Sequence, residues 1–414
     1  TTAGSPYRVC QNITIPAGGT VIVQPGVVVN FDNGQQLGVA GTLDIQATSK
    51  SHAVFTAPTV FPPAVTVTGG TIDAHFTDFH TPLRVSSGAN VLLSDCSFGS
   101  DALLNSDDIP SSLPYVQLER CTFTDSYFVL SGCLAVLRDN TFMNTYVLLL
   151  RTLADVTAPN AFVGDPLQID RQESIQPLVV DGVHGTGSTG SGLVLNGGTY
   201  RLGPDTVLQG NFYPLELRGG LTPDSVVSAT GNTNNAINVD NGGFAGRGRW
   251  PDLGLPYRLT GATTSSPGGH LTIDPGAAVE AANPDAALWF VSTRQGVFDG
   301  LPGSPITFCG LNNQSWGGLM FAVNSTTGCR MEYCVIEDAE RGVISTDNHL
   351  YVDNCLFFDN QAGVNMNTFG SIFFRKTRFV ANDVGVEVSD QGTARLNSPT
   401  NPNSFEGNGA AVNA

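Results

Sequence analysis

Over 414 residues the chain carries 41% apolar residues, 48 glycines and 24 prolines, but only 13% charged residues. That is too apolar for a disordered linker and too poor in Glu, Lys and Arg for long surface helices, whereas short strands with Gly, Asn, Asp, Ser and Thr turns need few charges. A net charge of −17, with two lysines (Lys50, Lys376) among nineteen basic residues, excludes a surface built for nucleic acid or anionic lipid, and no apolar run reaches the roughly 18 residues that span a bilayer.

The first elements are short apolar stretches separated by turns: Pro6-Tyr7-Arg8-Val9, Pro25-Gly26-Val27-Val28-Val29 and Val54-Phe55-Thr56. From residue 74 a six-residue frame recurs: an apolar residue, two outward residues, a small residue, one outward residue and a large apolar one. It reads Ala74-Thr77-Phe79, Leu93-Cys96-Phe98, Leu118-Cys121-Phe123 and Leu137-Asn140-Phe142, with the closing phenylalanines 19, 25 and 19 residues apart. A period of about 20–25 residues is too short for two helices and a turn. It fits one coil of three short strands, with Phe on Phe and Cys on Cys at about 4.8 Å along the stack. Two insertions, residues 101–115 and 156–177, interrupt the period.

After a Gly-, Arg- and Pro-rich seam at residues 243–255 the opening returns. Pro256-Tyr257-Arg258-Leu259 and Pro275-Gly276-Ala277-Ala278-Val279 repeat the first two stretches at an offset of 250. The frame follows as Met331-Cys334-Ile336, Val352-Cys355-Phe357 and Phe374-Thr377-Phe379, with Phe405 beyond. Asn360, Asn382 and Asn408 each lie three residues after a phenylalanine of this column, where an amide can bond its counterpart one coil on. Gly342-Val343, Gly363-Val364 and Gly385-Val386 mark the next turn, where glycine is expected to supply a permissive backbone. The ladders predict an all-β, right-handed parallel β-helix with coils of about 20–25 residues. It has two related modules, residues 1–250 and 251–414, stacked as one continuous solenoid.

The stretches IPAGGTVIVQPGVVVNFDNGQQLGVAGTLDIQA and HLTIDPGAAVEA, followed by SPITFCG, WGGLMF and CVIEDAERGV, resemble secreted right-handed β-helix proteins common among Bacteroidota. The resemblance implies a secreted or outer-surface location. It also implies export by the type IX pathway, with a C-terminal sorting domain that is removed.

The eight cysteines lack the paired spacing of zinc sites. Cys96/Cys121 and Cys334/Cys355 fall in stacked columns, whose separation of nearly 5 Å exceeds the 3.5–4.5 Å Cβ distance of a relaxed disulfide. These four are expected to be buried free thiols acting as small hydrophobes; Cys10, Cys133, Cys309 and Cys329 stay open.

Parallel β-helices also carry polysaccharide lyases and glycoside hydrolases, which need convergent acids and bases. Fragments of a hydrolase set stand at Asn30-Phe31-Asp32, Asp107-Asp108 and Val183-His184-Gly185, about 75 residues apart. That is roughly three coils or ~15 Å along the axis, beyond the roughly 5–10 Å that paired carboxylates need. Asp73 with His75, and Asp78 with His80, read as exposed polar strands, and Gly187-Ser188-Thr189-Gly190 lacks the strand-to-helix context of a nucleophile elbow. Trp250 and Trp316 could serve as sugar-stacking platforms, but the resemblance, in whose segments both recur, implies that they pack inside.

In the second module the outward columns read Glu332, Asp353, Arg375 and Tyr333, Asn354, Lys376, with Glu337 and Asp338 nearby. Glu332, Asp353, Arg375 and Lys376 form the strongest acid–base cluster and are the candidate ligand-binding residues. A lyase would use such carboxylates to hold Ca²⁺ and the Arg or Lys as base. Opposite charges on adjacent strands are also ordinary cross-strand pairs, as Asp95, Arg120 and Asp139 are expected to be, and this is the favoured reading. The sequence thus predicts an extracellular or cell-surface structural or adhesive β-helix that binds polysaccharide or another envelope protein without catalysis, metal or cofactor. The alternative is a polysaccharide lyase or glycoside hydrolase acting on the outer face.

Overall fold

The computed structural model describes the chain except residues 59–63, 100–102, 107–112, 157, 172–175, 241–242, 245–246, 266–268, 292–294, 323–328, 347–348, 368–370, 389–391, 397–401 and 414. Strands make up 61% of the chain, in parallel sheets stacked as a β-solenoid of about 16 turns. No α-helix occurs among the described residues.

As far as Asp155, each coil of the first module lays down three strands on three faces, for example Thr77–His80, Leu83–Val85 and Asn90–Ser94. Between the third face and the next first face the chain turns on a single residue in the left-handed region: Asp95, Arg120 and Asp139, with φ of 55°, 54° and 55°. The residue after each corner points inward and donates to a carbonyl one coil back. Cys96 Sγ lies 3.5 Å from Ala74 O, Cys121 Sγ 3.6 Å from Leu93 O, and Asn140 Nδ2 3.1 Å from Leu118 O. All eight cysteines are free thiols. Those in the columns are buried as expected, but they serve as weak hydrogen-bond donors and not merely as small hydrophobes.

Alternation along strands such as Thr71–His75, Asn90–Ser94 and Tyr115–Glu119 puts one residue in the core and the next toward solvent. Phe79, Phe98, Phe123 and Phe142 pair in register and stack with centroids 4.4–4.9 Å apart, all but excluded from solvent. Trp250 and Trp316 are 1% exposed and pack inside. The asparagine ladder forms as read: Asn360 Nδ2 donates to Asn382 Oδ1 at 2.9 Å, and Asn382 Nδ2 to Asn408 Oδ1 at 2.9 Å.

The glycines Gly342, Gly363 and Gly385 are needed for a different reason from the one expected. None has a left-handed φ. A Cβ on them would stand 2.5, 2.6 and 2.6 Å from the carbonyls of Gly363, Gly385 and Ala411. The coils approach too closely there for a side chain.

The internal repeat extends to individual hydrogen bonds. Tyr7 Oη donates to Thr1 O at 2.8 Å, and Tyr257 Oη to Pro251 O at 2.8 Å. Antiparallel bridges Thr48–Ser51 and Leu301–Ser304 recur after the matching strands. In space, however, the second copy is turned by one face. Tyr7 and the Phe79–Phe142 column lie on the first face, which ends at Ser228–Thr230. Tyr257 pairs Ile237, which pairs Leu215, so the second module's Ile336, Phe357 and Phe379 extend the middle face.

Candidate functional site

The predicted cluster falls on a seven-stranded sheet, on its last five strands Gln295–Asp299, Cys329–Glu332, His349–Asp353, Ser371–Arg375 and Thr393–Arg395. Inward positions Met331, Val352 and Phe374 anchor these strands to the core. Two outward columns stand beside one another. One runs Asp299, Glu332, Asp353, Arg375; the other runs Arg330, Tyr351, Phe373, Arg395.

An open groove of about 570 Å³ is lined by Arg330, Tyr351, Asp353, Phe373, Arg375 and Arg395, together with Val352 and Phe374. Asp353 and Arg375 are therefore brought into the groove. Arg375 Nε donates to Asp353 Oδ2 at 2.8 Å, its Nη2 bonds the same oxygen, and Asn354 Nδ2 reaches Asp353 Oδ1 at 3.0 Å. Asp353 is only 6% exposed, and its carboxylate raises the pKa of the Arg375 guanidinium. Glu332 turns to Arg330 instead, and Lys376 is an exposed corner residue at φ 50°; neither lines the groove.

Tyr351, Phe373, Arg330 and Arg395 escaped the sequence reading because the frame was anchored on the inward residue and the two positions after it. The signal sits one position before that residue, where Arg330, Tyr351 and Phe373 precede Met331, Val352 and Phe374. The Tyr351 and Phe373 rings stack at 5.1 Å and 14°, and Arg395 Cζ lies 4.9 Å from the Phe373 centroid. Phe373 is thus enclosed on both faces. A ligand meets ring edges and guanidinium N–H groups, not an open aromatic face.

No family model matches the chain, and no curated protein matches it. What the surface does must come from its own chemistry. Among the described residues no group of three or more His, Cys, Asp or Glu is arranged to hold a metal ion. Glu337 and Asp338 have raised pKa values, from burial first and then from neighbouring carboxylates, with Asp359 acting on both.

The other acid–base candidates separate. Asp107 and Asp108 lie outside the described residues. Asp73, His75 and Ser94 form a chain in which His75 Nε2 lies 3.3 Å from Asp73 and Nδ1 bonds Ser94 Oγ. That order resembles an acyl-transfer triad with the two ring nitrogens exchanged. The backbone N–H that follows, of Asp95, is already given to Glu119 O at 2.9 Å, and the imidazole is half exposed on an outer strand. Asp95 and Arg120 form the expected ion pair, Nη2 to Oδ2 at 2.8 Å. Exposed apolar pairs stand elsewhere on the solenoid, Tyr127 beside Tyr146 on one face and Leu134 beside Leu153 on another, at 37–59% exposure.

Proposed function

We propose that this protein is a non-catalytic β-solenoid of the cell exterior that binds carbohydrate through the Tyr351–Phe373 groove. The exterior location rests on the resemblance of the module sequences to secreted β-helix proteins. The observation that carries the binding reading is the state of Asp353. Among the described residues, the one carboxylate lining the groove is nearly buried and held by the Arg375 guanidinium and the Asn354 amide. It is not placed to trade a proton with a ligand, and general acid–base catalysis needs a group that can. What the groove does offer is a rigid apolar wall and fixed N–H donors, the composition of a recognition site. Because outward positions recur every coil at about 4.8 Å, the wall suits a repeating polymer.

The test is a panel of neutral and uronate-containing polysaccharides. Retention is followed by affinity electrophoresis; unsaturated and reducing-end products are measured with and without calcium. We expect retention by at least one polymer and no turnover. Product formation that disappears in Asp353→Ala would replace this reading with the lyase or hydrolase one, and no retention by any polymer would remove it.

A further inference from the structure

Within a chain of net charge −17, the groove has three of the nineteen basic residues and one carboxylate among its described lining residues. Arg330 is answered by Glu332 and by Asp299, at 3.4 Å from its Nε, and Arg375 by Asp353. Among the described residues, Arg395 lies over the Phe373 ring and pairs with no carboxylate. A ring face holds a cation above it without using its N–H groups, so the guanidinium fork stays available for a planar, two-oxygen acceptor.

The geometry points to a more definite ligand: we infer that the groove selects polymers carrying carboxylates, with Arg395 taking the acidic group and the Tyr351–Phe373 edge supporting the sugar ring. This rests on the carbohydrate-binding reading and narrows it. The acid of the ligand completes the charge pattern of the two columns, in which every other guanidinium already faces a carboxylate. The protein's overall negative charge opposes a polyanion at long range, so attraction must come from contact within the groove. Salt therefore acts two ways, weakening the Arg395 contact while screening the overall repulsion, and the salt dependence should be shallower than for a basic protein.

The experiment compares polygalacturonate with its fully methyl-esterified form, which keeps the sugar backbone and removes the charge. Binding is measured by calorimetry on wild type, on Arg395→Gln, and on Tyr127→Ser as a distant surface control; circular dichroism checks folding of each. Loss of one charge-assisted contact should weaken polygalacturonate binding by about tenfold or more in Arg395→Gln, leave Tyr127→Ser unchanged, and make the ester the weaker ligand for wild type. Equal binding of the acid and the ester, or an Arg395→Gln variant as tight as wild type, overturns the inference. Retention of neutral polymers in that case leaves the carbohydrate reading standing. Failure of every polymer removes both.

Discussion

Replacing Asn360 by Ala removes one rung of the internal amide ladder, and the cost follows from its bonds. Asn360 is 3% exposed. Its Oδ1 accepts from the Ala339 N–H at 2.9 Å, while Nδ2 donates to Ile336 O at 3.0 Å and to Asn382 Oδ1 at 2.9 Å. Asn382 Oδ1 keeps the Asn360 backbone N–H at 3.1 Å, so that acceptor is not stranded. The Ala339 N–H is stranded in a buried site, at about 1–3 kcal/mol, and two further bonds worth about 1 kcal/mol each disappear. The sum is about 3–5 kcal/mol. Asn360→Asp should be worse at neutral pH, since a carboxylate still accepts from Ala339 but faces two acceptors where the amide donated. Its folded-state pKa would be raised, so that penalty is present above the raised value and is relieved as pH falls through it. Urea unfolding followed by circular dichroism measures both variants, and hydrogen exchange locates the opened coils. A loss below about 1 kcal/mol for Asn360→Ala would refute the ladder as a source of stability.

Gly363→Ala should cost about 1–3 kcal/mol by forcing the coils apart. Gly34→Ala, at φ 75° with no atom within 4 Å of the new methyl, should cost only the backbone strain of about 1–2 kcal/mol; a Gly363→Ala variant that unfolds at the wild-type midpoint would contradict the close-approach argument. In native protein a thiol reagent should modify exposed Cys10 quickly and Cys309 slowly, since burial pushes the Cys309 thiol up to about 12. The remaining six should react only on unfolding, and rapid reaction of Cys121 or Cys355 would contradict their inward placement. Glu337→Gln should raise the melting temperature slightly at neutral pH. The raised pKa of Glu337 means that its charged form disfavours folding above that pKa, and this is relieved as pH falls through it, so the gain should vanish in acid. A gain that persists unchanged in acid would contradict that sign.

The repeat was legible because the core demands it. Phe98, Phe123 and Phe142 must stack to be buried, and Asn360 and Asn382 must satisfy one another, so both columns show as spacing. The one-face turn between modules was hidden, since the offset of 250 is the same whether or not the second copy rotates. It depends on which ladder Ile237 joins, a long-range pairing. At the surface, sequence found Asp353 and Arg375 because opposite charge on adjacent coils is a visible pattern. It placed Lys376 with them because it treated the corner residue as a second outward strand position, when that residue spends its conformation on the turn. Tyr351 and Phe373 gave no such signal, since an outward aromatic differs from an inward one only by the parity of its strand.

The most direct test of the binding account is hydrogen exchange of the intact protein with and without the best-retained polymer of the panel. The account predicts added protection confined to 349–353, 371–375 and 393–395, the strands that carry Tyr351, Phe373 and Arg395. Protection centred instead on 127–131 and 146–150, the strands that carry Tyr127 and Tyr146, with those three strands unchanged, would contradict it.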